Sequence, residues 1–543
     1  MRAYFSCFLI LVLLVSTECN GAEREGGGDD ATAPLYIVPV LWHGPNNQIT
    51  TIKEAISLAY LLTSGGRKRG QASRRAVVAI PDLQEHKFSD GGVHFMFAAE
   101  LFDLGALAAA GVEYVPLAQL RGLAETGGPA GQGVQLAGKG LRRHQQAQAQ
   151  AQQRGQVQEQ EQGGQGREEE EEEEEQGRGR QAGQRRRMQR EDGEAEQPDE
   201  AEGGASWDGR LDAVLFFRDT EFPPVQSMLD DMGVGLQAPR RGTATWLRSP
   251  ISVSRGCSAA QVEELRALLQ PYRYVAMLSY DDFALQTHKL AGTLLSDCGE
   301  DLCCEAYKVR SPLFHKSERI YGLAEDFVGK AIGKDKPFMA AHIRPMPDPC
   351  VVLWQSADED LDPKELEDTC RTDFMYYRLV PNMQWLIKQH QHQGAASAVF
   401  IMTHPTIRPR VFRMLKAGGI DPIFIDMAQF NASVAAAEAS SGSSSSSGGS
   451  SGRTALRTPV SNSLLAMVEE AVAAMATVFL GTAESSMTGM IVQERLTRGL
   501  PPESTFFMSP HPNCTVAPCA LRDYYTRRAE RLAKQGTLKA MQP

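Results

Sequence analysis

The stretch Phe479-Leu480-Gly481-Thr482-Ala483-Glu484-Ser485-Ser486-Met487-Thr488 constrains the fold more than any other part of this 543-residue chain. It reads as a buried strand, a turn of small residues, and a hydroxyl-rich helix start that runs on toward Gln493-Glu494-Arg495. The first turn of a helix has N–H groups without intrahelical acceptors and carries the positive end of the macrodipole. Such a start is therefore a site for phosphate. Upstream, Pro337-Phe338-Met339-Ala340-Ala341-His342-Ile343-Arg344 is a second apolar strand, ending in His-x-Arg. A third piece, His43-Gly44-Pro45-Asn46-Asn47-Gln48, follows an apolar strand over 35–42 and opens a helix.

The rest of the chain alternates between the same two periods. Residues 49–62 have helical spacing through Ile52, Ala55, Ile56, Ala59 and Leu62, and 76–80 is a buried strand stopped by Pro81-Asp82. The alternation continues over 97–107 and 112–116. It resumes with strand 211–217, helices 259–269 and 317–332, strand 338–343, helix 383–390, strand 398–402, helix 410–417, strand 422–426 and helix 464–475. Strands and helices alternating in two blocks predict an α/β protein with parallel sheets. Residues 23–335 form the expected first half and 336–543 the second. Two segments break the pattern. Residues 121–206 are rich in Gln, Glu, Gly and Arg, include an unbroken run from Glu168 to Glu175, and cannot bury enough apolar surface to offset ordering entropy. Residues 432–455 are dominated by Ser and Gly toward their end and read as a flexible insert. Loop-closure cost grows slowly with length, so a folded core tolerates both.

The amino terminus is read as a leader. Arg2 precedes an apolar run over residues 5–15, and small and polar residues follow through Ala22. That is the order of a secretory signal peptide over 1–22, with an uncleaved anchor as the alternative; no later run is long and apolar enough to span a bilayer. Beyond it stand eight cysteines, an even number suited to disulfides in an oxidising compartment, with the pairing open. Asn431-Ala432-Ser433 and Asn513-Cys514-Thr515 have the form of glycosylation sequons. The formal net charge of −11 argues against a nucleic-acid binder, and Arg185-Arg186-Arg187 lies within acidic low-complexity sequence.

Phosphate-seeking turns after strands, with an arginine at one strand end, point to a nucleotide-sugar site between two α/β halves. Together the three pieces resemble the GDP-fucose protein O-fucosyltransferases. That family has a Gly-x-x-Asn-Gln-type turn, a His-x-Arg-x-x-x-Asp motif, and Phe-Ile-Gly followed by Ser-Ser-x-Thr and Glu-Arg. Here they stand in order as residues 44–48, His342-Ile343-Arg344-Pro345-Met346-Pro347-Asp348, and 479–495. The pattern is closest to the branch that modifies epidermal-growth-factor-like repeats. The resemblance covers most of 34–118 and 207–525. It implies a GT-B-like fold, two Rossmann-like domains facing across a cleft with ligands at strand carboxyl ends. It also implies an inverting, metal-independent fucosyltransferase of the secretory-pathway lumen, endoplasmic reticulum or Golgi. GDP-fucose would be the donor, no cofactor would be needed, and the acceptor would be a Ser or Thr hydroxyl of a secreted or luminal protein. A glycan acceptor, or a non-catalytic binding protein that keeps the fold, are the alternatives.

Residue by residue, Arg344 is the expected catalytic group, because a guanidinium presents a permanent charge and a planar fork to a departing diphosphate. Asp348 either orients Arg344 or contacts the acceptor. His342 is either a structural histidine or a ligand of sugar or phosphate. Asn47, expected with Arg344 and Asp348 among the catalytic residues, occupies the family's turn with Asn46 and Gly44, where an amide both donates and accepts; Gln48 is expected to support that turn. The resemblance implies Ser485 and Ser486 as diphosphate contacts and Thr488 as a further donor-binding residue, with N-capping as the ordinary use of such residues. Glu469 matches a family acid that pairs with guanine, unless it lies on a solvated helix face. No acidic motif with metal-ligand spacing stands out; Asp230-Asp231 lacks the intervening residue. One departure is plain. After the strand at 399–402 the family has Thr-Asp, whereas this chain has Thr403-His404.

Overall fold

The computed structural model describes residues 33–41, 44–64, 74–85, 95–120, 210–217, 245–279, 283–355, 360–370, 374–390, 398–442, 460–509 and 511–527, with isolated positions near 229–236 and Thr458. The leader over 1–22, the insert over 121–206, His43 and Asp230-Asp231 lie outside the described residues.

Two six-stranded sheets organise the chain. The first comprises β1 (Leu35–Pro39), β2 (Ala76–Ile80), β3 (Tyr114–Pro116), β4 (Ala213–Phe216), β5 (Thr245–Arg248) and β6 (Tyr274–Leu278), in the order β3-β2-β1-β6-β4-β5, all parallel. The second comprises β7 (Met339–Ile343), β8 (Val399–Thr403), β9 (Pro422–Ile423), β10 (Val478–Thr482), β11 (Thr505–Met508) and β12 (Cys519–Ala520). Its order is β9-β8-β7-β10-β11-β12, with only the last strand antiparallel. Two parallel-sheet α/β units are what the alternation of strands and helices predicted, and their GT-B-like arrangement is the one the resemblance implied.

Both faces of the second sheet are covered, and its strands read as unbroken apolar runs for that reason. Side chains alternate between two cores with the period of two that a strand imposes. Met339, Ala341, Ile343, Val399, Ile401, Val478 and Leu480 face one core. Ala340, Phe400, Met402 and Phe479 face another, which also contains Ile37, Val38, Val78 and Val214 of the first sheet. The halves therefore share a core. It is filled by α1 (Pro45–Ser64), α2 (Phe283–Thr293), α3 (Leu302–Arg310) and α4 (Glu318–Phe327) from the first half. From the second come α7 (Asn462–Met475) and α8 (Ser486–Thr497).

Between them in the chain lie α5 (Asp348–Gln355) and α6 (Arg408–Ala417). Two boundaries differ from expectation. The helix expected at 383–390 starts at Phe374 and runs through Pro381 to His390, since tertiary packing overrides one lost backbone bond. A helix over Met427–Gly442 also extends into the segment read as a flexible insert; its alanines hold helical geometry as far as the serine run.

Eight cysteines form four disulfides: Cys257–Cys303, Cys298–Cys304, Cys350–Cys370 and Cys514–Cys519. No helix among the described residues is long and apolar enough to cross a membrane.

Candidate functional site at the strand carboxyl ends

In the second sheet the strand order reverses between β7 and β10, and a doubly wound sheet opens a crevice at that point. Thr482, the last residue of β10, ties the crevice together. Its hydroxyl donates to the His342 carbonyl (2.9 Å) and accepts the Arg344 N–H (3.0 Å), while its own carbonyl accepts the Ser485 N–H (3.4 Å). One fully buried side chain thus sets the exit of β7, which carries Arg344, against the entry to α8.

Arg344 emerges from this bridge partly exposed and ion-pairs through Nη2 with Asp348 at 2.5 Å, at the start of α5. Of the two roles open to Asp348, this geometry is that of an orienting partner. The pair leaves the rest of the planar guanidinium fork for an anion.

On the other side of the crevice, Ser485 occupies the N-cap position of α8 with extended backbone (φ −80, ψ 127) and makes no side-chain cap bond. Ser486 is half-buried beside it. The preceding Glu484 has a positive φ of 74, a conformation that strains a residue with a Cβ and is often stored at functional turns.

His342 and Thr488 are placed differently. The His342 Nδ1 lies 2.7 Å from the Thr488 hydroxyl, and both residues are buried, at 2% and 0% exposure. Burial, with Arg344 nearby, pushes His342 down to about 3, so the ring is neutral. Geometrically this is a packing pair that fixes the α8 start against β7. Gly481 makes the approach possible, since a Cβ there would lie 2.2 Å from Thr488 Cγ2.

The third piece opens α1 after β1. Gly44 accepts the Asn47 N–H at 3.0 Å. Gln48 supports the turn as expected, but by reaching outward: its amide donates to the Gln84 carbonyl (3.0 Å) and accepts the Gln84 N–H (2.8 Å). The Oδ1 atoms of Asn46 and Asn47 are buried acceptors with no partner among the described residues. Buried acceptors are normally satisfied, so a donor-bearing ligand would complete them.

α1 and α8 lie side by side and run in the same direction. The Thr50 hydroxyl meets Met490 Sδ at 3.6 Å and Lys53 Nζ meets Gln493 Oε1 at 3.4 Å, two contacts with the same sequence offset. Thr287 of α2 joins them, 3.0 Å from the Thr50 hydroxyl and accepting from Gln493 through its carbonyl. Parallel helices bring their positive ends to one place. The Asn46-Asn47 turn and the Ser485-Ser486 turn consequently open at the same end of the pair, and both dipoles favour an anion there.

Glu469 is not on a solvated face. It is 3% exposed and paired with Arg408 of α6 at 2.7 Å, and Arg408 also donates to the Ile425 carbonyl. Burial raises Glu469 to about 7 against the pull of Arg408, with Glu470 adding to the rise. His404 caps the turn Pro405–Ile407, its Nδ1 2.7 Å from the Thr406 hydroxyl.

Sequence reasoning missed Thr482 and a buried charged network between the halves. Lys316 pairs with Glu494 of α8 and with Glu470 of α7 at 3.2 Å. Tyr321 donates to Glu494, and Tyr307 to Gln493 at 2.8 Å. Burial depresses Lys316, but Glu494 and Glu470 more than offset it and the net shift is upward. Lys53 is lowered to about 8, chiefly by burial. Lys53 and Glu54 lie off the apolar stripe of α1, yet both are buried: Lys53 meets Gln493 of α8, and Glu54 accepts from the Ser279 hydroxyl of the first half.

A cavity of about 1120 Å³ opens at the carboxyl ends of β4 and β5, lined by Phe217, Arg248, Arg255, Glu300 and Leu302 among others. Cys257, Asp301 and Cys303 cluster beside it. Their donor set is already used: the two sulfurs are bonded to each other, and Asp301 accepts the N–H groups of Cys257, Cys303 and Cys304.

No protein family and no characterised protein matches the chain by sequence. Among solved structures it is similar to POFUT1 in complex with GDP-fucose in two crystal forms. Identities are 11% and 12% and TM-scores 0.43 and 0.44, covering 87% and 89% of this chain and 98% and 99% of those. The apo-form of POFUT1 is similar at 12% identity and a TM-score of 0.42, covering 89% of this chain and 100% of that one.

Proposed function

We propose that the protein is a fucosyltransferase that moves L-fucose from GDP-fucose to a Ser or Thr hydroxyl of a protein in the secretory-pathway lumen. The observation that carries this reading is the convergence of Arg344, the Ser485 turn and the Asn46-Asn47 turn at the carboxyl ends of two parallel sheets. The sequence resemblance of those same three segments names the donor. Four disulfides agree with an oxidising lumen.

The chemistry follows from charge. The acceptor oxygen attacks the anomeric carbon from the face opposite the diphosphate. The bond from that carbon to the phosphate oxygen breaks, and its electron pair leaves on the diphosphate. Arg344, oriented by Asp348, meets the charge that develops there, and the two helix N-termini add donors at the same end. With an oxocarbenium-like transition state the acceptor proton is lost late, a strong base is not required, and the departing diphosphate takes the proton. The residues in named roles are Arg344 as leaving-group stabiliser, Asp348 as its orienter, and Asn46, Asn47, Ser485 and Ser486 as donor-substrate contacts. Glu469 would face guanine only with Arg408 sharing its carboxylate. His342 and Thr488 hold the frame.

The test is GDP release from GDP-fucose by the secreted full-length chain, with GDP-mannose as the control donor and Arg344→Ala beside it. Turnover preferring GDP-fucose and falling about 100- to 1,000-fold in the variant, the range for removing one preorganised donor, supports the reading. No GDP binding by the wild-type chain would overturn it.

A further inference from the structure

Arg408 stands outside the family pattern, which names only the acid at Glu469, and the structure makes the two a unit. Arg408 opens α6 just past the end of β8, and Ile425 follows β9. The Arg408 Nη1 donates to the Ile425 carbonyl at 2.6 Å and the Nη2 to Glu469 Oε1 at 2.7 Å. The guanidinium carbon also lies 5.7 Å from the centre of the Phe424 ring. Backbone, carboxylate and ring together hold the guanidinium in place.

These contacts leave hydrogen-bonding groups over. Each Nη keeps a second N–H, and the Nε–H is buried with no partner among the described residues. Glu469 Oε2 accepts no hydrogen bond among the described residues either, since Arg408 takes only Oε1. Burial pushes Glu469 toward the protonated form and Arg408 opposes that, favouring a carboxylate that accepts at both oxygens. The pair therefore offers a donor, an acceptor and an acceptor in sequence: an Arg408 N–H, the shared Oε1, and Oε2. Guanine is the complement, with an O6 that accepts and an N1–H and exocyclic amine that donate. Adenine sets a donor against the donor and a bare ring nitrogen against the acceptor, so it is rejected at both.

The place in the sheet agrees. With the order β9-β8-β7-β10, Arg408 and Ile425 lie on the side of Arg344 away from Ser485, one and two strand spacings along, or about 5 and 10 Å. A diphosphate between Arg344 and Ser485 leaves its nucleoside to run over β8 toward this pair.

We propose that Arg408 determines base specificity, its guanidinium donating to the O6 atom of a 6-oxopurine while the Glu469 carboxylate it holds accepts from the N1–H and amine of guanine. This rests on the fucosyltransferase reading and deepens it, because the acid is given a partner that reads the base with it.

The ordinary use of Arg408 is to neutralise a buried carboxylate, and the choice of base separates the two roles. GDP, inosine diphosphate and ADP affinities are measured by calorimetry on the full-length chain, for the wild type and for Arg408→Met, Arg408→Lys and Glu469→Gln. The wild type should bind GDP best, inosine diphosphate next and ADP worst, with GDP ahead of ADP by about 10- to 100-fold. Arg408→Met should lose about tenfold for GDP and inosine diphosphate and little for ADP. Arg408→Lys keeps the charge beside Glu469, so it tests the same ratio if the Met variant does not fold. It should lose part of the preference for GDP over ADP, because one ammonium cannot hold the Ile425 carbonyl and Glu469 and still reach O6. Glu469→Gln should erase the preference for GDP over inosine diphosphate, since an amide nitrogen then faces the exocyclic amine. An unchanged ratio of GDP to ADP affinity in Arg408→Lys, or equal losses for all three nucleotides, is what charge neutralisation alone predicts. Either result overturns the Arg408 assignment, while GDP binding by the wild type leaves the transferase reading standing. A wild-type chain that binds no GDP overturns both.

Discussion

The Thr482 hydroxyl donates to the His342 carbonyl at 2.9 Å and in the same position accepts the Arg344 N–H. It is a side chain doing the work of a backbone ladder where β7 and β10 part. Replacing it with Val keeps the shape and leaves a buried carbonyl and N–H without their partner. Thr482→Val should cost about 1–3 kcal/mol in urea unfolding, the penalty for an unsatisfied buried group. GDP release should fall further than unfolding explains, because Arg344 loses its anchor; Thr482→Ser should restore most of both. Unchanged turnover in a destabilised Val variant would show that Arg344 does not depend on the bridge.

Gly481 should resist substitution for a steric reason that can be relieved. A Cβ there meets Thr488 Cγ2 at 2.2 Å. Gly481→Ala is expected to destabilise by about 1–3 kcal/mol through overpacking. Removing the methyl in Gly481→Ala/Thr488→Ser should recover much of the loss, since the serine retains the hydroxyl that faces His342. A double variant no better than the single would place the strain elsewhere.

His342 makes a signed prediction about acid. Its value falls from 6.5 to about 3 in the folded chain, first by burial and then by Arg344. The unfolded chain therefore binds a proton that the folded chain refuses. The stability that neutral His342 contributes is complete above about 6.5 and is lost as pH falls toward about 3, at up to about 1.4 kcal/mol per pH unit. His342→Asn removes the titration. The stability gap between wild type and variant should narrow as unfolding is measured at pH 7, 6, 5 and 4, and a constant gap would contradict the buried neutral ring.

The charged network at the shared core should tolerate the loss of Lys316 poorly. Lys316→Met leaves Glu470 and Glu494 buried with Lys53 as the remaining cation of the group. Breaking a buried pair from one side costs about 3–5 kcal/mol. Adding Glu494→Gln removes part of the stranded charge, so the double variant should unfold at higher denaturant than Lys316→Met alone. Additive losses would mean that Lys316 and Glu494 do not act as a pair.

The placement of the fold's elements was largely legible because each depended on local pattern. Residues 76–80, 259–269 and 464–475 have the periods of the elements they form, and the helix start after 479–482 follows from its small residues and hydroxyls. Phe374–His390 was only half legible, since Pro381 is a local break signal that packing overrides. The sites divide in the same way. Arg344 and the turns at Gly44 and Ser485 stand where strand ends meet phosphate-seeking helix starts, and strand ends are visible in a linear chain.

Sequence by itself determined the α/β class, the three turns from strand to helix, the arginine at a strand end and an even complement of cysteines, all of which depend on composition, period and short spacing. Tertiary structure alone decided which cysteines pair and that α1 and α8 lie parallel. It alone turned His342 and Thr488 toward each other, set Glu469 against Arg408, and buried Lys53 and Lys316 with Glu470 and Glu494. The reason is physical. A side chain's partner is set by segments hundreds of residues away: Lys53 of α1 is buried and meets Gln493 of α8, 440 residues on.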